Sequence, residues 1–459
     1  MLQTMEGPEG RVEAQIVAAV RERTAAGVAT GVARLVSAGI LPPGTQLPTV
    51  RALARALRIS PTTVSEAWQS LLRSGVIDTR GRRGTTVRGV PRPAAPARFS
   101  RLHRDLPARL DLSAGTPDPE LLPDVGQALH RLSRSAAASS YFDVPVLPDL
   151  ERVLRADWPF DPDAVTVVDG AVDAIDRLFG VLLRFGDRVL VENPTFPPIL
   201  DLLEQAGMTA VGLAVDDEGV RPEALAEALA DAPAAALVLQ PRAHNPCGHS
   251  MSARRAGELA GVLAAHPAVR VIEDDHASAI ATAPPVSLGR HLPDRTVHIR
   301  GFSKSHGPDL RLAALGGARD LVDRVVQRRL LGPAWSSRLL QAVLLDLLTD
   351  PASVAAVARA REVYADRRRR LTAALTRRGV AVTGADGINL WVAVPDESSA
   401  LVTLAVHGVT AAPGSPFLSA PLPGDHVRVT CAAVRADFEW LADLIARSAA
   451  PHPRHAGTV

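Results

Sequence analysis

The chain has 459 residues, of which 47% are apolar, and this size favours two domains with buried cores. Its net charge is only +2, but residues 25–95 hold ten arginines against Glu66 and Asp78, which is typical of a nucleic-acid-binding module. The two cysteines, Cys247 and Cys431, exclude a disulfide framework, and no apolar run approaches a membrane span or a secretory signal. We therefore expect a cytoplasmic protein that does not bind a membrane.

The basic segment begins with helical patterns. Apolar residues at helical spacing predict a first helix over residues 25–38. Thr49 can cap a second helix that runs to about residue 57, and Ser60 with Pro61 can start a third that runs to about residue 73. Two short helices joined by a tight turn predict a helix-turn-helix whose second helix enters the major groove.

The residues after the third helix predict a wing. The stretch 76–87 reads as two strands around a Gly-Arg-Arg-Gly turn. Together with the helices, this pattern resembles the GntR-type winged helix over about residues 28–88. The matching residues are Pro43, Gly44, Leu47, Pro48, Thr49, Val50, Arg51, Thr63, Val64, Gly75, Arg80, Gly84, Thr85 and Val87.

This resemblance implies a face that binds double-stranded DNA. Arginines near phosphates would supply affinity, and base contacts from the third helix would supply sequence choice. A winged helix used for protein contacts, or a merely solvated run of charges, is the alternative. The residues that the resemblance places at DNA are Arg51, Ser60, Thr62, Thr63, Arg80, Arg82 and Arg83.

Composition then predicts a linker and a larger α/β domain. Residues 89–110 are rich in proline, alanine and arginine, which is typical of a semi-extended linker. Beyond them, strands alternate with helices, which predicts a mostly parallel sheet with helices on both faces. The predicted strands are 165–168, 188–191, 235–239, 269–273 and 297–300, with 390–394 and 426–429 in a small C-terminal subdomain.

These patterns divide the chain into four parts. We expect a DNA-binding domain over residues 1–88, a linker over 89–110, an α/β domain over 111–450 and a tail over 451–459. The fold class is therefore α/β with an N-terminal winged helix-turn-helix.

Lys304 is the only lysine in the chain, at the end of a predicted strand. Arginine can replace lysine as a surface charge or a phosphate ligand, but it cannot form a Schiff base. Chance survival of one exposed lysine is the alternative. The segment Ser303-Lys304-Ser305 with Arg311 resembles the lysine segment of fold-type I, aminotransferase-like proteins. There, the lysine forms the internal aldimine with pyridoxal phosphate (PLP) and the arginine binds the cofactor's phosphate.

The same resemblance implies further residues of a PLP site. Gly170, Ala171 and Val172 lie where a strand turns into a helix, a place that suits a phosphate. Phe196, in Glu-Asn-Pro-Thr-Phe, matches the aromatic residue that stacks on the pyridine ring, although it could equally belong to the core. Asn245, in Asn-Pro-Cys-Gly, matches the asparagine that binds the phenolic oxygen, or it belongs to a simple turn.

Three more residues complete the implied site. Asp274 matches the aspartate that pairs with the pyridine nitrogen and makes the ring an electron sink. Acids at a strand end can also form a solvated turn or a metal site. Arg428 matches the arginine that grips a substrate carboxylate, and Ser303 precedes the lysine as in the family. We predict no metal ligands.

The chain departs from the family pattern at several positions. His276 stands where the family has a tyrosine, Gly301 where a phosphate-binding serine is common, and Val172 where a polar residue is usual. The segment after Tyr141 lacks the usual glycine. These changes weaken the expectation of efficient transamination, so enzyme activity stays uncertain. We expect His276 to titrate near the cofactor within the working pH range; the alternative is that it points away and only ends the strand.

The order of the two parts resembles the MocR regulators, which are GntR modules fused to the fold-type I domain. The resemblance implies a homodimeric, bacterial, DNA-binding transcriptional regulator that binds PLP as an aldimine and senses PLP or an amino compound. An aminotransferase with an accessory DNA-binding arm, or a regulator whose decayed PLP site serves dimerisation, are the alternatives.

Overall fold

A computed structural model describes residues 8–37, 40–73, 76–79, 84–87, 97–102, 108–132 and 144–449. The chain divides into two compact units, with the division between Ala97 and Arg98 and two short segments, Leu183–Arg188 and Asp201–Ala210, grouped with the first. This division lies inside the predicted linker, and the boundaries at residues 88, 110 and 450 remain predictions. Within the described ranges, no single helix is long and apolar enough to cross a membrane.

The first unit contains four helices and a two-stranded sheet among its described residues. They are α1 (Pro8–Ala19), α2 (Ala25–Ser37), α3 (Val50–Leu57), α4 (Pro61–Arg73), β1 (Ile77–Thr79) and β2 (Thr85–Val87). Because the apolar residues recur at helical spacing, α2, α3 and α4 bury one face each around Val32, Leu53, Val64 and Leu71. The predicted helices and the antiparallel wing strands are confirmed. Gly39, Gly75 and the turn residues 80–83 lie outside the described residues.

The second unit alternates strands and helices, as the sequence predicts. In chain order its elements are β3 (Leu110–Leu112), α5 (Val125–Leu132), α6 (Pro148–Ala156), β4 (Ala164–Val168), α7 (Ala171–Leu182), β5 (Arg188–Asn193), α8 (Pro197–Gln205), β6 (Thr209–Asp216), β7 (Gly219–Val220), α9 (Pro222–Asp231), β8 (Ala236–Leu239), α10 (Ala253–Ala264), β9 (Arg270–Asp275), β10 (Thr296–Gly301), β11 (Ala313–Gly317), α11 (Arg319–Leu330), α12 (Arg338–Thr349), α13 (Pro351–Thr376), β12 (Val382–Thr383), β13 (Asn389–Val394), α14 (Glu397–Val406), β14 (Val409–Pro413), β15 (Asp425–Thr430) and α15 (Phe438–Ala449).

An eight-stranded sheet forms the centre of this unit, in the order β4-β11-β10-β9-β8-β5-β6-β7. Strands β5, β8, β9 and β10 are neighbours and run parallel. Their residues are nearly all buried, as expected for parallel strands covered by helices on both faces. Parallel neighbours end at the same edge of a sheet, so the segments that follow them converge there.

A second, five-stranded sheet in the order β12-β13-β15-β14-β3 forms the small subdomain. Its core includes Leu390, Val427 and Leu441. Strand β3 pairs in parallel with β14, with Leu110 opposite Val409. Leu110, the last residue of the predicted linker 89–110, is thus the first residue of a strand of this sheet. A 3-10 helix over Phe99–Arg101 is a second ordered part of that segment.

Candidate cofactor site and DNA-binding face

The predicted cofactor residues follow the four parallel strands at the same edge of the sheet. Phe196 lies half-buried in the turn between β5 and α8, and Asn245 lies in the loop after β8. Asp274 is the penultimate residue of β9, His276 follows that strand, and Lys304 lies three residues after β10. The parallel register places Asp274 opposite Ile299 of β10. The topology therefore gathers residues that are far apart in the chain.

Asp274 has a buried carboxyl group, and only one of its two oxygens accepts a hydrogen bond among the described residues. Its Oδ2 atom accepts a hydrogen bond of 2.8 Å from Nε2 of Gln240. Its Oδ1 atom is buried and has no hydrogen-bond partner among the described residues. Burial raises the pKa of Asp274 to about 6, against the lowering effect of the Gln240 hydrogen bond. A buried, unpartnered carboxylate oxygen favours a cationic N–H donor at that position.

The acids on either side of Asp274 do not form a solvated turn. Oε2 of Glu273 accepts a 2.5 Å hydrogen bond from Ser287 and lies 2.8 Å from Nδ1 of His298. Asp275 pairs with Arg242 at 2.5 Å. Burial acts to raise the pKa of Asp275, but hydrogen bonds from His298 and Arg242 hold it below its usual range. Both flanking acids therefore have partners, and Asp274 alone keeps a free oxygen.

Lys304 lies half-buried beside Asp274. Its Nζ atom donates a 2.6 Å hydrogen bond to the carbonyl oxygen of Gly115. Burial, with a smaller contribution from the charge of Arg428, lowers the pKa of Lys304 to about 8, and Asp274 opposes this shift. A larger fraction of the amine is therefore unprotonated near neutral pH than in an exposed lysine, as a nucleophilic amine requires.

Arg428 is a buried cation on β15. Nη1 donates to Oδ1 of Asn245 at 3.3 Å, Nη2 donates to the carbonyl oxygen of Ser113, and Nε has no partner among the described residues. Burial lowers the pKa of Arg428 to about 10, so the guanidinium stays charged at neutral pH. A Cβ atom on Gly115 would lie 3.1 Å from this guanidinium, so Gly115 contacts both Arg428 and Lys304. An anion that reaches Arg428 would neutralise a buried charge.

The start of α7 forms a small cradle with Arg311. Gly170 has a φ of 112°, and a Cβ atom there would lie 3.0 Å from Nη2 of Arg311. Ala171 and Val172 begin the helix and are half-buried. Gly301 lies against the first residue of α7, since a Cβ atom on Gly301 would be 3.8 Å from Cβ of Ala171. Helix-start N–H groups and a guanidinium together suit a phosphate.

Ser303 directly precedes Lys304, and His276 lies close enough to Lys304 for its pKa to respond to the charge of the lysine. Ser303 is half-buried, and Nδ1 of His276 is buried without a hydrogen-bond partner among the described residues. Burial and the nearby charge of Lys304 lower the pKa of His276 to about 4. This pKa holds for the chain with a charged Lys304, so the expectation that His276 titrates near the cofactor within the working pH range stays a prediction. A neutral imidazole can still donate or accept one hydrogen bond.

The loop that carries Asn245 rests on a buried polar cluster. Backbone N–H of Asn245 donates to Oε1 of Gln240 at 2.8 Å, which fixes the loop to the end of β8. Behind it, the rings of His244 and His249 stack with centroids 4.1 Å apart, and Nε2 of His249 lies 3.0 Å from Oε1 of Glu192. Imidazole lone pairs lie in the ring plane, so these parallel rings do not aim both nitrogens at one ion. The cluster supports the loop.

Helices α3 and α4 present the polar face that the sequence predicts. The hydroxyl of Thr49 accepts a 3.2 Å hydrogen bond from the backbone of Ala52, and the hydroxyl of Ser60 accepts one of 3.1 Å from Thr63. Both caps fix where the helices begin. Arg51, Ser60 and Thr62 are exposed and Thr63 is half-buried. Arg80, Arg82 and Arg83 lie outside the described residues, so their DNA contacts stay predictions.

Two sequence families match the chain in tandem. Residues 24–87 match the bacterial regulatory proteins of the gntR family, and residues 108–439 match aminotransferase class I and II. The second match alone spans more than half of the chain. The chain belongs to the MocR-type regulators.

Curated relatives share most of the length of this MocR-type chain. The vitamin B6 salvage pathway transcriptional repressor PtsJ of Salmonella typhimurium is 37% identical over 414 residues, which cover 89% of this chain and 94% of that protein. The HTH-type transcriptional regulator TauR of Rhodobacter capsulatus is 28% identical, with 84% and 88% covered. The HTH-type pyridoxine biosynthesis transcriptional regulator PdxR of Corynebacterium glutamicum is 29% identical, with 60% and 62% covered.

Solved structures confirm the predicted fold of the larger domain. An archaeal alanine:glyoxylate aminotransferase superposes with a TM-score of 0.67 at 21% identity, covering 77% of this chain and 93% of that one. A kynurenine aminotransferase from Pyrococcus horikoshii gives 0.68 at 22% identity, with 78% and 93% covered. At these identities the likeness shows the fold alone.

Sequence reasoning missed two contact residues of this MocR-type site. Gln240 bonds both Asp274 and Asn245, and Gly115 holds Lys304 through its carbonyl oxygen. Gln240 directly follows the predicted strand 235–239, and its position at the carboxyl end of that strand was an available signal. Gly115 contacts Lys304 through its backbone across 189 residues, which no local pattern reveals.

One prediction concerns the exposed Arg51. Changing Arg51→Ala in the full chain should weaken binding to the DNA upstream of its own gene. The slope of log Kd against log salt should become shallower by about one, because each neutralised phosphate contributes about 0.9 to that slope. Arg34→Ala, an exposed arginine near the end of α2, is the matched control and should keep the wild-type slope. Equal slopes in both variants would show that Arg51 does not neutralise a phosphate.

Proposed function

We propose that this chain is a transcriptional regulator that binds PLP covalently on Lys304 and alters its binding to double-stranded DNA in response. The observation that carries the proposal is the pair of Lys304 and Asp274. A half-buried amine with its pKa lowered to about 8 lies near a buried carboxyl with a free oxygen. The relative PtsJ, described as a vitamin B6 salvage repressor, supports the same reading.

The residues present fit PLP. The unpartnered Oδ1 of Asp274 suits a protonated pyridine nitrogen, and the cradle of Gly170 and Arg311 suits a phosphate. Asn245 and the neutral His276 would hydrogen-bond to the phenolic oxygen of PLP. Phe196 would stack on the face of the pyridine ring. Asp274 is the residue that would keep the ring nitrogen charged.

PLP, when bound, supplies an aldehyde that condenses with an amine and a ring that withdraws electrons. Lys304 supplies the amine, and the carbonyl oxygen of Gly115 accepts a hydrogen bond from it. Arg428 carries a buried positive charge, and its hydrogen bonds go to an amide oxygen of Asn245 and a carbonyl oxygen of Ser113, which are neutral groups. This favours an effector with an acidic group. These roles support sensing of PLP or of an amino compound.

A homodimer in the cytoplasm is part of this proposal. Leu330, Leu331 and Leu339, around the end of α11 and the start of α12, have exposed fractions of 58%, 81% and 62%. All three large apolar side chains lie within residues 330–339 of the chain, and a protein interface there would remove them from water. A twofold pair of winged helices would read two half-sites about 34 Å or a multiple apart.

The test is a DNA-binding titration of wild-type protein stripped of PLP, with and without added PLP. We expect an absorbance band near the visible edge that borohydride removes, sedimentation as a dimer, and a change in the Kd for upstream DNA of about 5- to 150-fold, the usual range for coupled sites. Unchanged Kd with the band present would overturn the sensing function. No band and no borohydride-dependent label would overturn PLP binding itself.

A further inference from the structure

Gln240, the residue after β8, has a side chain that forms hydrogen bonds at both of its polar atoms. Its Nε2 atom donates to Oδ2 of Asp274 at 2.8 Å, and its Oε1 atom accepts from the backbone N–H of Asn245 at 2.8 Å. Its own backbone N–H donates to Oε2 of Glu192 at 2.7 Å. Gln240 is only 2% exposed. A buried residue with these hydrogen bonds is held in one place, and it orients its partners.

The direction of the Gln240 amide group is fixed by its partners. The backbone N–H of Asn245 can only donate, so the amide oxygen faces Asn245 and the amide NH2 group faces Asp274. Because an amide NH2 group only donates, Oδ2 of Asp274 accepts, and a proton on this carboxyl is directed to Oδ1. That atom is buried and has no hydrogen-bond partner among the described residues. Gln240 therefore favours the ionised form of Asp274.

The carboxyl of Asp274 also responds to its burial and to charges around it. Burial raises the pKa of Asp274 to about 6, and the hydrogen bond from Gln240 is the strongest effect in the opposite direction. The titratable groups beside this carboxyl, on β5, β9 and β10 and in the segments that follow β9 and β10, are Glu192, Asp275, His276, His298 and Lys304. The two acids raise the pKa of Asp274, and His298 lowers it. These groups are present in wild type and in any Gln240 variant, so a comparison of the two isolates the Gln240 hydrogen bond.

Gln240 also connects the two segments that would recognise the ring of PLP. Asp274 suits the pyridine nitrogen and Asn245 the phenolic oxygen, which are fixed relative to each other on one rigid ring. Oδ1 of Asn245 accepts from Nη1 of Arg428 at 3.3 Å, which leaves Nδ2 of Asn245 to donate to the phenolic oxygen. Because one amide group bonds both segments, a shift of either segment breaks one of its hydrogen bonds.

From these contacts we infer that Gln240 is a positioning residue for PLP, which keeps Asp274 as an aligned carboxylate and holds Asn245 at the matching place on the ring. Without the NH2 group of Gln240, Asp274 would take up a proton at a higher pH, and it would lose its charge toward a pyridinium N–H earlier as the pH falls. Without the amide oxygen, the loop of Asn245 would lose one of its fixed points. This inference rests on the proposed function.

The test compares Gln240→Met with wild type in the full chain, because methionine is of similar length but has no amide group. The probe is deoxypyridoxine phosphate, which has the ring, phenolic oxygen and phosphate of PLP but no aldehyde that Lys304 could condense with. Calorimetry gives each Kd across the pH range, and the ratio of the variant Kd to the wild-type Kd cancels the titration of the probe itself. This ratio should be about five- to tenfold larger at about pH 5.5 than at about pH 8, because loss of one hydrogen bond to a carboxylate should raise its pKa by about one unit.

Ser250→Ala is the matched control. It removes a 2.9 Å hydrogen bond that the backbone of Ala243 donates to Ser250 in the same loop, and this bond does not involve Asp274. It should change the Kd for the probe by the same factor at both pH values. Gln240→Ala guards against loss of folding, since a water molecule can occupy the polar space it leaves and bond the freed groups. It should show the same trend as Gln240→Met with a smaller size, while circular dichroism reports the fold of each variant.

A ratio that is the same at both pH values in the folded Gln240 variants would show that Gln240 only fixes the loop, and the inference would be wrong. A pH-dependent ratio for Ser250→Ala would show that any disturbance of the loop has this effect, and it would overturn the inference as well. Wild-type protein that fails to bind the probe overturns both the proposed function and this inference. The expected pH dependence without a reducible band in the presence of PLP overturns covalent binding alone and leaves the role of Gln240 standing.

Discussion

Lys304→Arg should abolish the borohydride-reducible absorbance band and leave the fold unchanged. The guanidinium keeps the positive charge and can still donate to the carbonyl oxygen of Gly115, but it cannot condense with an aldehyde. In wild-type protein, borohydride should fix one pyridoxyl group on the peptide that contains residue 304, and no other lysine competes for it. The variant should show no label by mass spectrometry.

A control restores the number of lysines without restoring the site. Arg324 is exposed on α11, so Arg324→Lys in the Lys304→Arg background places the single lysine at the surface. We expect no band in this double variant. A band or a stable label there would show that any lysine suffices, and the assignment of Lys304 would be wrong.

The rate of this reaction should depend on pH in a defined direction. Burial lowers the pKa of Lys304 to about 8, so the unprotonated, reactive amine accumulates as the pH rises toward 8. An exposed lysine titrates near 10.4. PLP loading by wild-type protein should therefore rise steeply from pH 6 to 8 and level off above it, whereas loading of an exposed amine would continue to rise.

Much of this architecture could be predicted because its signals are local. Helix caps such as Thr49 and Ser60, and the alternation of strands and helices, are properties of short windows of sequence. The site residues could be proposed because each follows a strand, where an open sheet gathers its ligands. Lys304 was prominent because the rest of the chain uses arginine.

The remainder depends on contacts between distant segments. The partner of Lys304 is a backbone carbonyl at Gly115, and Leu102 packs against residues from four separate segments: one loop, two strands and a 3-10 helix. The pKa of His276 depends on contacts of the same kind. Burial and the ammonium group of Lys304 lower its pKa to about 4. Neither the burial of His276 nor its closeness to Lys304 can be read from the identity of the residue.

Asp274→Asn should have the second large effect, on the affinity for PLP. The asparagine can keep the contact with Gln240, but it has no charge to offer a pyridinium N–H. A hydrogen bond to a charged group contributes about 1.5–3 kcal/mol. Since 1.4 kcal/mol is a factor of ten, the Kd for PLP should rise about 10- to 150-fold at pH 7.5.

The pH dependence of the Kd for PLP separates the loss of this charge from a general disturbance of the structure of the site. Burial raises the pKa of Asp274 to about 6, so the wild-type carboxylate loses its charge, and part of its affinity for PLP, as the pH falls through 6. The variant should lack that step, while the contribution of Lys304 near pH 8 stays in both proteins. Asp217→Asn removes the same charge at an exposed turn of the second unit and should bind PLP like wild type at every pH. If absorbance titrations give Asp274→Asn the wild-type Kd and the same step near pH 6, Asp274 does not hold the ring nitrogen.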